Sequence, residues 1–526
     1  MWLAAVALCV PSAPAKDWPE FGGSHGKNMV SDETNLPAWF APGEKDSAKG
    51  EIILSTATNV KWGVRIGSIV YPSPTVVGGR IYIGGGESGR GVFKCLDAEN
   101  GRLLWQYSAP YRPFPAEVQP GWSYKLGRIT PNLGICATAT VDDGRVYFVN
   151  HRCEVMCLDA NGSDAPADAN GGATNGVPTL PPGVRQERVL WTFDLWDHGI
   201  RPADACNGQP LVDGDLVYVC TCNGTDRDAQ IAYADNRPTP APGAPNLIVL
   251  DKWTGRLVAT DDAKQIGPRI MHGEWSTPSM GTVQGRKLVF FGGGDGVCYA
   301  FEALAAVPAQ PVKLKTVWSF DCNPPEYKGT PEGMDWASYY SLGDKRLKRS
   351  LNKKSESSFV GMSEIIACPV FYRDRVYVAI GRDPEHGRGR GALWCIDATK
   401  TGDVTATGKI WGYQGLDRSI STASIRDGLL YLGDSAGRVH CLDAETGAPY
   451  WVHETGAGLW ASTLVADGKV YLPTTKHLWV FAAGKEKRVL AEINLGAPIY
   501  ATPVAVDGTL YVNSRNYLWA VRKTAP

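Results

Sequence analysis

Two short stretches of this sequence bring together ionisable residues of the types that proton-transfer or metal chemistry uses. In MHGEWSTP at 271 to 278, His272 and Glu274 lie two residues apart, and an imidazole with a carboxyl can serve as a general acid–base pair. In GRDPEHGRGRG at 381 to 391, Asp383, Glu385 and His386 stand in a glycine-rich stretch. Ligands from one flexible turn rarely complete a coordination sphere, so this stretch predicts a solvated loop and no metal site. The sequence supplies no geometry for the first pair and names no catalytic residue.

The thirteen cysteines offer a second kind of chemistry. Twelve would remain after removal of a signal peptide, and an even number in an exported chain suggests disulfides. Four of them, however, recur at one position of a repeated motif where other copies carry Val or Ala, which predicts small buried side chains: Cys95, Cys157, Cys395 and Cys441. Cys153 could pair with Cys157 across a hairpin. We expect most thiols to be free, and no zinc site, because the sequence has no CxxC pair.

The start of the chain predicts export. A short apolar run, Trp2 to Val10, precedes the small-residue pattern Ala13-Pro14-Ala15, which is typical of a signal peptide at residues 1–15. A lipid anchor on Cys9 is not expected, because Leu8 stands where a small residue would be needed. No later stretch is long and apolar enough to span a bilayer. These features predict a periplasmic or secreted protein.

Charge excludes one class of partner. The formal net charge is −1 and the isoelectric point is near 6.7, whereas nucleic-acid binding depends on an excess of Lys and Arg against phosphates. We therefore expect no nucleic-acid partner. With 44% apolar residues and 18 Trp, the chain is typical of a folded globular protein.

The elements that must position these residues come from an internal repeat. A small turn followed by a hydrophobic-Tyr-hydrophobic strand occurs eight times, from GGRIYI at 78 to 83 to DGTLYV at 507 to 512, and each copy is followed by a strand that ends near a motif such as CLDA. Alternating β-branched and aromatic residues between tight turns predict antiparallel hairpins. No single unit can bury both of its faces alone. Eight of them therefore predict an all-β, eight-bladed propeller of four-stranded antiparallel blades.

Tryptophans recur at the fourth strand of most units, where each indole is expected to dock on the Gly-containing turn of a neighbouring blade. The six docking residues are Trp62, Trp105, Trp191, Trp318, Trp411 and Trp451. Two units carry Ala259 and Leu490 near this position, which predicts looser packing there. The last unit ends without its fourth strand, whereas NVKWGVRIG at 59 to 67 has such a strand and no partners. The two ends of the chain should therefore complete one blade together.

The motif AxDxxTGxxxW, present as LDAETGAPYW and LDAENGRLLW, resembles the tryptophan-docking repeat of PQQ-type propellers, which include quinoprotein alcohol dehydrogenases and BamB-type scaffolds. The resemblance covers residues 59 to 523. DWPEFGG at 17 to 23 is also similar to the DWPxFxG segment that begins a set of exported bacterial propellers. The resemblance to quinoproteins implies PQQ held between a Trp and a disulfide of adjacent cysteines, beside Ca²⁺. No two cysteines are adjacent here, and Cys220-Thr221-Cys222 is the nearest approach, so no cofactor is expected, with PQQ and Ca²⁺ as the alternative.

Loops that lead into the innermost strands of a propeller converge on one mouth of its axis, which is where we place a ligand. The predicted ligand-binding residues of this funnel are Arg201, Asp204, Asn207, His272, Glu274, Trp275, Glu364, Arg418, Trp460 and Tyr500. Trp275, Trp460 and Tyr500 fall at equivalent positions in three blades, where Tyr71 also sits. Aromatic faces around a polar funnel suit sugars, quinones or a peptide strand. The alternative is that these side chains simply plug the channel.

The domain organisation follows: a signal peptide at 1–15, an N-terminal extension at 16–58 and the propeller at 59–523, with polar insertions at 161–188 and 322–365. Trp336, Tyr339 and Tyr340 in the second insertion could form a partial lid. The sequence favours a monomeric binding or scaffolding module of the periplasm or cell envelope, with an envelope protein, a small molecule or a glycan bound at the funnel. The alternatives are a PQQ-dependent oxidoreductase and a carbohydrate-binding or carbohydrate-active propeller.

Overall fold

Eight antiparallel sheets of at least four strands make up almost all of the described chain, which confirms the eight-bladed propeller. The computed structural model describes residues 17–112, 133–163, 180, 183–203, 205–224, 241–264, 266–328, 362–382 and 390–523. In each blade, the four main strands are neighbours in the order in which we list them below, and four of the sheets carry a fifth strand at one edge. We number the blades 1 to 8 from Thr75 onward.

Blades 1 to 7 each take their four strands from one stretch of the chain, whereas blade 8 takes its fourth strand from before blade 1. The four strands of blades 1 to 4 are, in order, Thr75–Val77, Arg80–Glu87, Arg90–Asp97 and Leu103–Pro110; Thr140–Asp142, Arg145–Val149, Glu154–Asp159 and Val189–Asp194; Leu211–Asp213, Leu216–Cys220, Leu247–Asp251 and Leu257–Asp261; and Ser279–Val283, Arg286–Gly292, Val297–Glu302 and Thr316–Asp321. Those of blades 5 to 8 are Val370–Tyr372, Arg375–Ile380, Ala392–Asp397 and Lys409–Tyr413; Ser424–Arg426, Leu429–Gly433, Arg438–Asp443 and Pro449–Glu454; Leu464–Ala466, Lys469–Pro473, Leu478–Ala482 and Val489–Ile493; and Val504–Val506, Thr509–Asn513, Tyr517–Val521 and Val60–Arg65.

Asp-Gly pairs make the tight turns between first and second strands. Asp427 and Gly428 have φ of 52° and 75°, and Asp467 and Gly468 have φ of 49° and 64°. Two successive residues with positive φ form the turn whose twist matches an antiparallel hairpin, and Asp and Gly tolerate that conformation best. We call the side of the propeller with these turns the turn face, and the side with the loops that enter each first strand the loop face.

The docking tryptophans join each blade to the next. Their indole N–H groups donate to carbonyl oxygens at the turn after the third strand of the following blade: Trp62 to Ala98, Trp105 to Ala160, Trp191 to Lys252, Trp318 to Ala398, Trp411 to Ala444 and Trp451 to Gly484, at 2.9–3.3 Å. Opposite them, the third strand of every blade has a register shift at the same place, such as Cys157/Leu158. In the two blades without a docking Trp, the residues at this register are Ala259 and Ala491, the neighbour of Leu490.

The ring is closed by the two ends of the chain, as the sequence predicts. Val60–Arg65 pairs antiparallel with Tyr517–Val521 as the fourth strand of blade 8. Trp62 on this strand then docks on blade 1. The closing strands pair residues that are more than 450 positions apart in the sequence.

Several short elements are attached to the blades. Three outer edges each gain a parallel strand, Arg185–Gln186 on blade 1, Val312–Leu314 on blade 3 and Gly402–Asp403 on blade 4. Val30–Ser31 pairs with the first strand of blade 7, and Glu44–Lys45 pairs with Ile52–Ile53. The helical elements are Leu54–Thr56, Trp196–His198, Gly267–Arg269 and Pro325–Lys328.

The predicted N-terminal extension enters the propeller. Residues 17–31, which we call the axial segment, run past the first strands of the blades and bond to the second residue of seven of them: Trp18 with Val76, Pro19 with Val141, His25 with Met280, Gly26 with Phe371, Asn28 with Ile425, Met29 with Val465 and Ser31 with Ala505. At blade 3, the contact is from His25 to Asp213, at 3.9 Å. The axial segment therefore satisfies the inner edges that a ring of blades would otherwise leave open.

Several predictions concern residues outside the described ranges. These are the signal peptide at 1–15, the loop residues Asp383, Glu385 and His386, the lid residues Trp336, Tyr339 and Tyr340, and most of the insertions at 161–188 and 322–365. Within the part of the chain that the structure describes, no helix combines the length and the apolar character that crossing a membrane requires.

Candidate functional site

A ring of small polar residues marks the inner end of the loop face. One residue per blade, two positions before the first strand, forms this polar collar: Ser73, Thr138, Gln209, Thr277, Cys368, Thr422, Ser462 and Thr502. Backbone N–H groups in one blade donate to the side chain of the next, for example Cys368 to Thr422 at 3.2 Å, Thr422 to Ser462 at 2.8 Å and Ser462 to Thr502 at 2.9 Å. All eight collar residues are buried. The collar is thus a hydrogen-bonded base for the loops that form the mouth.

Three half-buried aromatic residues stand two positions before the collar in adjacent blades, and we call them the aromatic patch. Tyr71 of blade 1 lies against Tyr500 of blade 8 with ring centroids 5.0 Å apart, and Trp460 of blade 7 meets Tyr500 edge-on at 5.8 Å. All three keep part of their surface open to solvent. Contiguous aromatic faces at a solvent-exposed mouth are the kind of surface that binds sugar rings or apolar side chains.

The structure divides the predicted funnel residues by exposure. Half-buried residues that keep some access to solvent are Arg201, Asn207, Arg418, Trp460 and Tyr500. Buried residues are His272, Glu274, Trp275 and Glu364. Asp204 lies outside the described residues. The accessible set therefore contains two arginines and two aromatics, whereas the predicted carboxyls of the described funnel are in the interior.

Trp275 holds two blades together. Its indole N–H donates to the carbonyl oxygen of Ala205 at 3.0 Å, and the His272 ring meets it edge-on at 4.9 Å. Ala205 belongs to the loop before blade 3, and Trp275 to the loop before blade 4. Although Trp275 is equivalent in sequence to Trp460 and Tyr500, it is only 6% exposed, so its role is packing between loops.

Glu274 is completely buried between blades 3 and 4. Burial, with the negative charges of Asp261 and Asp295, raises the pKa of Glu274 well above its usual range. The side-chain amide of Asn246 lies 3.1 Å from one of its carboxyl oxygens. The raised pKa favours the neutral carboxyl, which can act as an internal hydrogen-bonding group. Without access to solvent, Glu274 and His272 do not form an acid–base pair that a ligand in the mouth could reach.

Arg201 is fixed on the wall of the mouth. Its guanidinium lies over the Trp196 ring, 4.5 Å from the centroid, and donates to the carbonyl oxygen of Ile200 at 2.8 Å. The backbone N–H of Arg201 donates to the side-chain oxygen of Asn223. These contacts hold the arginine in place while part of its surface remains exposed.

The axial segment also contributes to this region, although the sequence did not predict it. Lys27 is fully buried and forms an ion pair with Glu20, whose other carboxyl oxygen lies 2.6 Å from Nδ1 of His25. Burial alone would raise the pKa of Glu20, but the charge of Lys27 and the hydrogen bond with His25 hold it below its usual value. This pair is sealed from solvent inside the ring of first strands to which the axial segment bonds. The sequence signal of this segment was DWPEFGG. Its resemblance indicated a family but did not indicate the contacts of Glu20, His25 and Lys27.

The residues of the mouth do not fit the quinone and calcium arrangement that the resemblance implies. Nowhere in the described ranges do three or more His, Cys, Asp or Glu side chains form a group that could hold a metal ion. The sequence contains no adjacent cysteines, and Cys220 and Cys222 are both free thiols.

Comparisons with known proteins agree with the architecture. Residues 388–494 match the family model described as outer membrane protein assembly factor BamB. The fold is similar to that of BamB from Moraxella catarrhalis, with 13% identity over 88% of this chain and 97% of the other and a TM-score of 0.50. It is also similar to quinohemoprotein alcohol dehydrogenase from Comamonas testosteroni, with 14% identity over 97% and 81% of the two chains and a TM-score of 0.56.

A third similar structure is a europium-containing methanol dehydrogenase, with 13% identity, coverage of 96% of this chain and 91% of the other, and a TM-score of 0.55. No curated protein matches the chain in sequence. At these identities, the structural similarities establish the fold alone.

Proposed function

We propose that this propeller, of which residues 388–494 match the BamB family model, is a binding module whose loop face holds a protein partner of the cell envelope. The observation that carries the proposal is the aromatic patch of Tyr71, Trp460 and Tyr500, three contiguous rings that stay half-exposed at the mouth. Docking surfaces are enriched in Tyr, Trp and Arg, and Arg201 and Arg418 stand in the same mouth.

Two further features support this proposal. The predicted carboxyls of the described mouth, Glu274 and Glu364, are buried, so they do not face a ligand at its surface. The axial segment, with its buried Glu20 and Lys27, bonds to the first strands inside the ring. A recess with exposed aromatic side chains favours binding. The match of residues 388–494 to the BamB model favours an envelope partner.

The experiment compares three baits in a pull-down from envelope extracts: the unaltered chain, a Trp460→Ala/Tyr500→Ala double variant, and Trp253→Ala as the matched control. Trp253 is 44% exposed on the turn face, far from the mouth. We expect a partner captured by the unaltered chain and the control, and at least a tenfold lower yield with the double variant. Recovery of the same proteins by all three baits would contradict the proposal.

A carbohydrate ligand is the second candidate, and the near contact of Tyr71 with Tyr500 favours it, because neighbouring aromatic faces stack on sugar rings. A ligand that binds only the native state raises the melting temperature. We expect a saturable rise with envelope-derived oligosaccharides for the unaltered chain, and none for Tyr500→Ala. Equal rises for both proteins would place any sugar site elsewhere.

A further inference from the structure

Four buried cysteines meet where blades 2 and 3 contact each other beneath the mouth. Cys153 lies in the turn between the second and third strands of blade 2, Cys206 in the loop before blade 3, and Cys220 and Cys222 at the end of the second strand of blade 3. All four belong to one core cluster and are at most 5% exposed. The repeat accounts for the positions of the cysteines opposite the docking tryptophans. It does not account for these four, which come from three separate segments.

The thiols differ in their contacts. The backbone N–H groups of Ala203 and Gly208, on either side of Cys206, donate to the carbonyl oxygen and to the sulfur of Cys222, at 3.0 and 3.2 Å. The Cys220 thiol donates to the backbone carbonyl oxygen of Glu274, at 3.2 Å, and it also interacts with the Cys222 thiol. Cys153 does not meet Cys157, since Cys157 lies in the third strand of blade 2 opposite Trp191. The pairing across a hairpin that the sequence left open is therefore not the contact that the structure shows.

Cys222 is in a setting that favours its thiolate. Its sulfur accepts a hydrogen bond from the backbone N–H of Gly208, with nitrogen and sulfur 3.2 Å apart. Burial opposes ionisation, but hydrogen bonds from the Cys206 and Cys220 thiols and from backbone N–H groups hold the pKa of Cys222 well below its usual value. The thiolate is the nucleophile in disulfide exchange.

We propose that Cys206 and Cys222 are the site of a disulfide that forms by exchange with an external disulfide, such as oxidised glutathione. The bond would tie the loop that carries Arg201 and Asn207 to the strand end next to Asn223. Two hydrogen bonds already join these segments, from the Ala203 N–H to the Cys222 carbonyl oxygen and from the Arg201 N–H to Asn223. The oxidised pair therefore fixes one wall of the mouth.

The reaction balances with that oxidant alone. The Cys222 thiolate attacks one sulfur of the external disulfide, forms a mixed disulfide and releases one thiolate. The Cys206 thiol then loses its proton, attacks the Cys222 sulfur and displaces the second thiolate. The protein loses two electrons and two protons, and the external disulfide leaves as two thiols. Because both cysteines are buried, exchange takes place during folding or local opening of the loop.

The test treats the full chain, during refolding and after it, with oxidised glutathione, and then alkylates the remaining thiols in denaturant. We expect the number of free thiols to fall by two. An endoproteinase that cleaves before Asp would cut at Asp213 and Asp215 and leave Cys206 and Cys222 on different peptides. Mass spectrometry should then find these peptides linked, and the link should disappear on reduction.

Variants separate this pair from its neighbours. Cys220→Ser, the matched control in the same strand, should keep the link and the loss of two thiols, whereas Cys206→Ser and Cys222→Ser should abolish both. The disulfide-linked peptides of the unaltered chain test the proposal even if a variant does not fold. Full alkylation of Cys206 and Cys222 after oxidation, or a bond from Cys206 to Cys153, would overturn the proposal.

Discussion

Each docking tryptophan combines a large buried ring with one directed hydrogen bond. Trp318 is completely buried, and its indole N–H donates to the carbonyl oxygen of Ala398 in the next blade at 3.3 Å. The position could be predicted from the sequence because most units carry a Trp on the strand that follows the motif at the end of the third strand. The partner carbonyl could be predicted as well, since it belongs to the same motif one blade further on.

Replacement of Trp318 tests what one docking residue contributes. Trp318→Ala should lower the free energy of unfolding by about 3–5 kcal/mol, since it leaves a cavity and an unpaired carbonyl. Trp253→Ala should change it by less than about 0.5 kcal/mol, because that ring is on the surface. Denaturant titration of both variants is the measurement, and similar losses would show that burial does not determine the role of the ring.

The ion pair of the axial segment should give the protein a dependence on pH. Because the pKa of Glu20 is lowered in the folded state, its ionisation stabilises the fold above the ordinary value of 4.5, and this contribution is lost as the pH falls through the folded pKa. Glu20→Gln should therefore cost about 3 kcal/mol at pH 7, where Lys27 is left alone. The difference from the unaltered protein should shrink below pH 4.5.

A double variant supplies the control for this pair. Glu20→Gln combined with Lys27→Met removes both charges and should be more stable than Glu20→Gln alone, since no buried charge is left without a partner. Urea titrations at pH 7 and pH 4 compare the three proteins. A constant difference between the unaltered protein and Glu20→Gln at both pH values would show that the pair is not coupled to folding.

At the scale of elements, the blades followed from the sequence and the axial segment did not. Alternation and Asp-Gly turns are local signals, so strands such as Thr509–Asn513 could be located from a few residues. The axial segment has almost no secondary structure of its own. Its conformation is determined by strands from the whole length of the chain, from Val76 to Ala505, which no local pattern encodes. The cluster around Cys206 escaped prediction for the same reason.

Deletion of part of the axial segment can be followed by hydrogen exchange, with one backbone amide as an internal control. Deletion of residues 17–27 removes the groups that bond to the amides of Val76, Val141, Met280 and Phe371, but keeps Met29. Hydrogen exchange at those four amides should accelerate at least tenfold, because their acceptors are lost. The amide of Val465, which bonds to Met29, should change much less. Equal protection in both proteins would mean that the segment does not cap the inner edges.

At the scale of the whole molecule, closure of the ring depends on one tight contact. A Cβ atom on Gly63 would lie 2.8 Å from Cγ1 of Ile52 and 2.9 Å from Cδ1 of Trp519. Gly63→Ala should therefore strain the closing strand and lower stability by about 1–3 kcal/mol. Gly243→Ala, where a Cβ meets nothing within 4 Å, should be close to neutral. Thermal melts of both variants test this, and a neutral Gly63→Ala would show that the closing blade adapts.

The propeller thus offers two different faces, a turn face and a loop face with an exposed aromatic patch. The most direct test of the proposed function is photo-crosslinking in cells from single benzoylphenylalanine residues. They would replace Trp460 or Tyr500 on the loop face, and Trp253, which is 44% exposed, on the turn face. We expect one discrete adduct from the two loop-face positions and none from the turn face. An adduct that forms only from the turn face, or equally from all three positions, would contradict binding at the mouth.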